Sequence, residues 1–91
     1  MTGSGAGAVE LLLIRGEPPC RRCHDTRAVL DAIAAGHPGL VRVREISIRD
    51  PEAEAYGAVL TPMVALNGKI LCAGMRPVKA GLEKLVAAEL A

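Results

Sequence analysis

Two cysteines separated by two residues, Cys20 and Cys23, are the side chains whose type and spacing most clearly suggest chemistry. Cys20 opens a stretch with helical periodicity, so we expect its thiol at a helix start, where unpaired backbone N–H groups and the helix dipole stabilise a thiolate. Arg21 and Arg22 stand between the cysteines and add positive charge. The pattern predicts a lowered pKa for Cys20, which would act as the nucleophile, and a resolving role for Cys23.

The same spacing occurs at haem and metal sites. With His24 the pair fits the attachment motif of c-type haem, but that motif usually belongs to exported, mostly helical proteins, and this sequence indicates neither. A structural zinc site needs four ligands, and no second Cys-x-x-Cys or His-x-x-x-His is present. The side chains that would have to complete such sites are His24, His37, Met63, Cys72 and Met75.

The composition favours one small domain. The chain has 91 residues, is 51% apolar with a single aromatic residue, and carries a formal net charge of +1. This balance gives no electrostatic argument for a nucleic-acid or membrane partner. We expect residues 1–8, which are rich in glycine and resemble no secretory signal, to be a flexible leader before a domain at 9–91. Three cysteines, an odd number, favour a reducing compartment, and we expect a monomer in the cytoplasm.

Local patterns predict seven elements. The apolar run Val9–Arg15 is typical of a strand buried on both faces, and residues 20–35 predict a helix that ends at Gly36. Residues 40–48 predict a second strand whose alternation slips phase, which we attribute to a bulge or an early strand end. A capped start at Asp50-Pro51 predicts a short helix that ends at Gly57.

The second half of the chain has a clear hairpin signal. Asn67-Gly68 supplies two positive-φ positions between apolar segments, which predicts two antiparallel strands at 62–66 and Lys69–Ala73. A closing amphipathic helix is predicted behind Pro77. We expect its buried face to consist of Val78, Leu82, Leu85, Val86 and Leu90.

The segment from Tyr56-Gly57 to Thr61-Pro62, followed by Asn67-Gly68-Lys69 and Gly74, resembles the second half of a thioredoxin. Together with the Cys-x-x-Cys pair in register, the resemblance covers nearly the whole chain from Val9, and it is strongest to the small, glutaredoxin-sized redox-active disulfide proteins. It implies an α/β thioredoxin-like fold with a four-stranded mixed sheet and three helices in the order β-α-β-α-β-β-α. It also implies that Pro62 follows a cis bond opposite Cys20.

The sequence departs from thioredoxins at the site itself. Pro19 stands where they place a tryptophan, Arg21-Arg22 replaces their Gly-Pro, and Ile14 matches the position of their buried acid. The proton acceptor for Cys23 is therefore open. The acidic pair that binds glutathione in glutaredoxins is also missing. Candidate substitutes for the proton acceptor are Glu17, His24 and Asp25.

The function implied by the resemblance is thiol–disulfide exchange catalysed by Cys20 and Cys23, with protein disulfides as substrates and a thiol or flavoprotein reductase as electron donor. No cofactor or metal is expected. Substrate contacts are expected from Thr61, Pro62, Arg21 and Arg22. Alternatives are a redox-sensing or metal-binding module without turnover, or a soft-metal chaperone. Further arginines that could flank the site and select an acidic partner are Arg15, Arg27 and Arg76.

Overall fold

The computed structural model describes residues 9–58 and 60–90. The element order β-α-β-α-β-β-α confirms the sequence-based prediction, while the predicted leader at 1–8 lies outside the described residues. The elements are β1 (Val9–Arg15), α1 (Arg21–Ala35), β2 (Val41–Ser47), α2 (Pro51–Ala55), β3 (Met63–Leu66), β4 (Lys69–Ala73) and α3 (Lys79–Leu90).

The four strands form one mixed sheet in the order β2-β1-β3-β4. β1 pairs parallel with β2 and antiparallel with β3, and β3 pairs antiparallel with β4. β1 therefore lies inside the sheet with helices over both of its faces, which explains why its apolar residues are continuous rather than alternating. The C-terminal end of β1 leads directly into the Cys-x-x-Cys segment.

The bulge or early strand end predicted for β2 is wrong. Pairing between β1 and β2 runs without interruption from Val9 opposite Val41 to Arg15 opposite Ser47. The phase slip has another cause: Arg44 and Glu45 are adjacent, so their side chains leave opposite faces of this edge strand, and each forms ion pairs there. The sheet's register shift lies instead between β3 and β4, at Val64 and Ala65.

The core is divided by the sheet into two clusters. Alternate residues of β1 point to opposite faces. One face packs against α1 and α3, and the other packs against α2. The larger cluster includes Leu11, Leu13, Leu30, Ile33, Val64, Leu82 and Val86, and the smaller one consists of Leu12, Ile14, Ala53, Met63 and Ala65.

The turns confirm the predictions made from their residues. Asn67 and Gly68 have φ values of 49° and 85°, as a primed hairpin turn requires. The Asn67 side chain also accepts a hydrogen bond from the Glu10 backbone N–H at 2.8 Å, which ties the hairpin to β1. Asp50 caps α2 by accepting from the Glu52 N–H at 2.8 Å.

The buried face of the closing helix α3 is narrower than predicted. Leu82 and Val86 are buried, but Val78 is 76% exposed and Leu85 is 47% exposed. Val78 precedes the first turn of α3, and Leu85 lines an open surface depression between α3 and β4, so both side chains stay in contact with solvent. Among the described residues, no helix is long and apolar enough to span a membrane.

Candidate active site

The thiol pair lies at the junction of β1 and α1. Pro18 and Pro19 end the strand because proline cannot donate to the ladder. Cys20 is the N-cap residue of α1, with φ −101° and ψ 172°, and its carbonyl accepts hydrogen bonds from the N–H groups of Cys23 and His24 at 3.0 and 3.1 Å. The Cys20 side chain therefore stands at the positive end of a 15-residue helix.

The two thiols lie next to each other and differ in exposure. Their Sγ atoms are 3.2 Å apart, and both cysteines are free thiols. Cys20 is exposed, whereas Cys23 is only 2% exposed and its sulfur accepts a 3.4 Å hydrogen bond from the Gly16 N–H. A disulfide partner approaching from solvent can therefore reach Cys20 directly but can reach Cys23 only through Cys20.

Hydrogen bonds lower the pKa of the Cys20 thiol below its usual value of 9.0. The largest cause is the adjacent Cys23 thiol, followed by the Cys23 backbone N–H, and partial desolvation of Cys20 opposes both. The direction agrees with the prediction. Its principal cause is the hydrogen bonds at the helix start rather than the charge of the neighbouring arginines.

An open cleft of about 640 Å³ adjoins Cys20. Arg21 and Arg22, the two arginines proposed from the sequence as substrate contacts, both line it, and Arg22 donates to the Gly74 carbonyl at 3.0 Å. Arg76 lines it too and forms an ion pair with Asp25 at 3.2 Å.

The other two arginines expected to flank the site do not line this cleft. Arg15 pairs with Glu17 and Glu45, and Arg27 pairs with Asp31 and Glu45. Their charges are therefore largely balanced by carboxylates.

Thr61 and Pro62 come close to the junction from the loop before β3. The Thr61–Pro62 bond is cis, and so is Glu17–Pro18, which the sequence did not indicate. A Cβ atom at Gly16 would lie 3.1 Å from the Thr61 hydroxyl oxygen and 3.3 Å from the Pro18 carbonyl oxygen. Thr61 therefore packs against the same glycine whose N–H donates to the Cys23 sulfur.

The candidate proton acceptors for Cys23 are engaged elsewhere or face solvent. Glu17 is paired with Arg15, Asp25 is paired with Arg76, and His24 is exposed. Ile14 is fully buried in the smaller core cluster. The contact that the structure gives the Cys23 sulfur on this side is the backbone N–H of Gly16.

The third cysteine has a different environment. Cys72 lies in β4, half-buried, with its sulfur 3.8 Å from the Met75 carbonyl oxygen. Burial raises the pKa of its thiol above the usual value, which makes it a weaker nucleophile than Cys20 at neutral pH. Within residues 9–58 and 60–90, no group of three His, Cys, Asp or Glu side chains is arranged to hold a metal ion.

Comparison with known proteins supports the same fold. A thioredoxin-2 described as a component of the malaria parasite protein secretion machinery superposes with a TM-score of 0.71 at 15% identity, covering 89% of this chain and 82% of that one. A second malarial protein gives 0.71 at 16% identity, with 92% and 99% coverage. A mutant thioredoxin from Halobacterium salinarum NRC-1 gives 0.70 at 19% identity, with 91% and 75% coverage.

No curated protein matches the sequence significantly. The family model described as a thioredoxin domain, however, matches residues 9–87, which include every strand and both cysteines of the pair. Its match extends over most of the chain. The chain therefore belongs to the thioredoxin domain family.

Proposed function

We propose that this protein is a thiol–disulfide oxidoreductase that uses Cys20 as nucleophile and Cys23 as resolving thiol. The observation that carries the proposal is the pairing of an exposed thiol of lowered pKa with a buried thiol 3.2 Å away, at the start of a helix. Thiolate is the reactive form in disulfide exchange. Membership of the thioredoxin domain family supports this reading.

The exchange proceeds in two steps. The Cys20 thiolate attacks one sulfur of the substrate disulfide, forms a mixed disulfide and releases the other sulfur, which takes a proton. Cys23 then loses its proton and attacks the Cys20 sulfur, forming the Cys20–Cys23 disulfide and releasing the second substrate thiol. The substrate gains two electrons and two protons, and a thiol or flavoprotein reductase returns the electrons to the pair.

The unequal burial of the two thiols suits this order. Because Cys23 is covered, external thiols and disulfides meet Cys20 first, and the 3.2 Å contact lets Cys23 act within the same molecule. Thr61, which is half-buried, would contact the substrate chain beside the pair, and the fully buried Pro62 would hold Thr61 in place there. We place the reaction in a reducing compartment such as the cytoplasm, carried out by one monomeric domain at 9–91.

The test is reduction of insulin disulfides with dithiothreitol as electron source. We expect turnover by the natural protein and a loss of at least a hundredfold in Cys20→Ser and in Cys23→Ser under multiple-turnover conditions. Cys72→Ser is the matched control, since it removes a thiol outside the pair, and we expect it to retain activity. Absence of turnover by a folded protein whose pair oxidises reversibly would instead favour a redox-sensing module, and bound metal in the purified protein would favour a metal-binding one.

A further inference from the structure

The cleft beside Cys20 carries a local excess of positive charge. Three guanidinium groups, those of Arg21, Arg22 and Arg76, share it with one carboxylate, that of Asp25. Asp25 is already paired with Arg76, and no carboxylate pairs with Arg21 among residues 9–58 and 60–90. Because guanidinium groups outnumber carboxylates there, the cleft can bind an anion next to the Cys20 sulfur.

This excess contrasts with the rest of the surface. The chain as a whole has a net charge of only +1. Of the five arginines outside the cleft, four pair with carboxylates, among them Arg42 with Glu10 and Arg44 with Glu10 and Glu52, whereas Arg49 forms no ion pair within residues 9–58 and 60–90. The cleft thus gathers three guanidinium groups where an incoming disulfide must dock.

An apolar groove adjoins the charged cleft. It has a volume of about 220 Å³ and lies between β4 and the start of α3. Arg76 lines both depressions, so they share a wall. Three apolar side chains of the groove are unusually open to solvent: Met75 is 59% exposed, Val78 is 76% exposed and Leu85 is 47% exposed. An apolar side chain seated there would remove this surface from water.

Resting on the proposed function, we propose that the preferred substrate is a polypeptide disulfide with a carboxylate side chain beside its cysteine and an apolar side chain further along. The carboxylate binds Arg21 and Arg76, and the apolar side chain enters the groove of Met75, Val78 and Leu85. A small disulfide such as that of glutathione offers carboxylates but no large apolar side chain. It would engage only half of this surface.

Asp25 competes with the substrate carboxylate for Arg76. Its carboxylate occupies Arg76 at 3.2 Å, so a substrate carboxylate must share or displace it. Replacing Asp25 by Asn keeps the shape of the side chain and removes the competing charge. The selectivity for acidic substrates should therefore increase in Asp25→Asn, whereas it should decrease when either Arg21 or Arg76 is replaced.

The first experiment measures the charge preference without requiring turnover. In a Cys23→Ser, Cys72→Ser background only Cys20 can be alkylated, and the ratio of its rates with anionic iodoacetate and neutral iodoacetamide reports the local potential independently of the thiol pKa. At low ionic strength we expect the ratio to fall about two- to threefold in Arg21→Gln and Arg76→Gln, the effect of one unit charge several ångströms away in water. It should rise by a similar factor in Asp25→Asn.

Arg42→Gln is the matched control for these changes. Its guanidinium is exposed and lies beside Glu10, at the N-terminal end of β1, whereas Cys20 follows the C-terminal end of that strand. We expect its iodoacetate-to-iodoacetamide ratio to equal that of the parent protein. Equal ratios in all four variants would overturn the electrostatic part of the proposal.

The second experiment compares kcat/KM for four peptide disulfides, carrying Glu or Lys beside the cysteine and Leu or Ser three residues on, together with glutathione disulfide. We expect the Glu/Leu peptide to react at least tenfold faster than the Lys/Ser peptide and faster than glutathione disulfide. A glutathione rate equal to that of the Glu/Leu peptide would refute the polypeptide assignment. Equal kcat/KM values for all four peptides would refute both the carboxylate contact with the arginines and the apolar contact with the groove.

Val78→Ser tests the groove separately. Val78 comes directly before α3, where serine is a favoured residue, so the substitution should not impair folding. It should reduce the preference for Leu over Ser and leave the preference for Glu over Lys unchanged, whereas Leu40→Ser, at another exposed apolar site, should change neither. If no disulfide is turned over, the proposed function fails and takes the substrate assignment with it. The alkylation ratio then still decides whether the cleft attracts anions.

Discussion

Oxidation of the Cys20–Cys23 pair should make the protein more resistant to heat. The disulfide closes a loop of four residues, and the loss of chain entropy in the unfolded state then stabilises the folded state by about 2 kcal/mol. The entropy of unfolding for a chain of this size is about 0.19 kcal/mol per kelvin. The oxidised form should therefore melt roughly 10 °C above the reduced form.

The difference in melting temperature between the oxidised and reduced forms should decrease as the pH rises. The folded reduced protein holds the Cys20 pKa below its usual value of 9.0, so between those two pKa values the unfolded chain binds more protons than the folded one. The stability of the reduced form therefore increases as the pH rises through the folded pKa and gains nothing further above about pH 9. The oxidised form has no such thiol, so the gap in melting temperature should be widest at acidic pH and narrow towards pH 9.

The assay is thermal unfolding followed by circular dichroism, with oxidised protein and protein kept in excess reductant compared at several pH values. A Cys20→Ser, Cys23→Ser variant should show no redox-dependent difference, which separates the pair from Cys72. An oxidised form that melts at or below the temperature of the reduced form would refute the reasoning. That result would show that closing the disulfide strains the fold and that the pair is an oxidant rather than a reductant.

Three further predictions concern single residues around the site. Cys23→Ala should move the pH midpoint of Cys20 alkylation by iodoacetamide upward, because it removes the largest cause of the lowered pKa; an unchanged midpoint would contradict the hydrogen-bond explanation. Gly16→Ala should cost about 1 kcal/mol and slow insulin reduction, since its Cβ would press on the Thr61 hydroxyl at 3.1 Å, and full activity with unchanged stability in urea would show that Thr61 yields freely. Leu30→Ala should lower the free energy of unfolding by about 2–5 kcal/mol in urea titrations, because Leu30 is fully buried between α1 and the sheet, and a cost below about 1 kcal/mol would mean that the core refills the cavity.

The elements themselves were predictable because each has a local cause. The continuous apolar run of β1 requires a strand covered on both faces, and the Asn67-Gly68 dipeptide requires a hairpin turn with two positive φ angles. The same holds for the thiol pair, since two cysteines at the first turn of a helix must lie close together whatever the rest of the fold does. Local sequence carries this information because backbone conformation and helical spacing act over a few residues.

Local patterns failed where the outcome depended on distant neighbours. A break in the alternating polarity predicted a bulge or an early end in β2, but the charged side chains responsible for the break are stabilised by partners on β1, α1 and α2. Helical periodicity placed Val78 and Leu85 in the core, yet α3 buries a narrower face because Leu82 and Val86 already fill its contact with the sheet.

The sequence by itself therefore determined the order of elements, the family resemblance and the position of the thiol pair. Only the tertiary structure decided what surrounds Cys20. It brings Arg76 to Asp25 across 51 positions of chain, and it brings Thr61 to Gly16 through the pairing of β1 with β3. The same packing joins a charged cleft to an apolar groove through one arginine. These contacts depend on strand order, register and helix packing, which arise from the burial of the whole core, and no pattern within a few residues of the thiols encodes them.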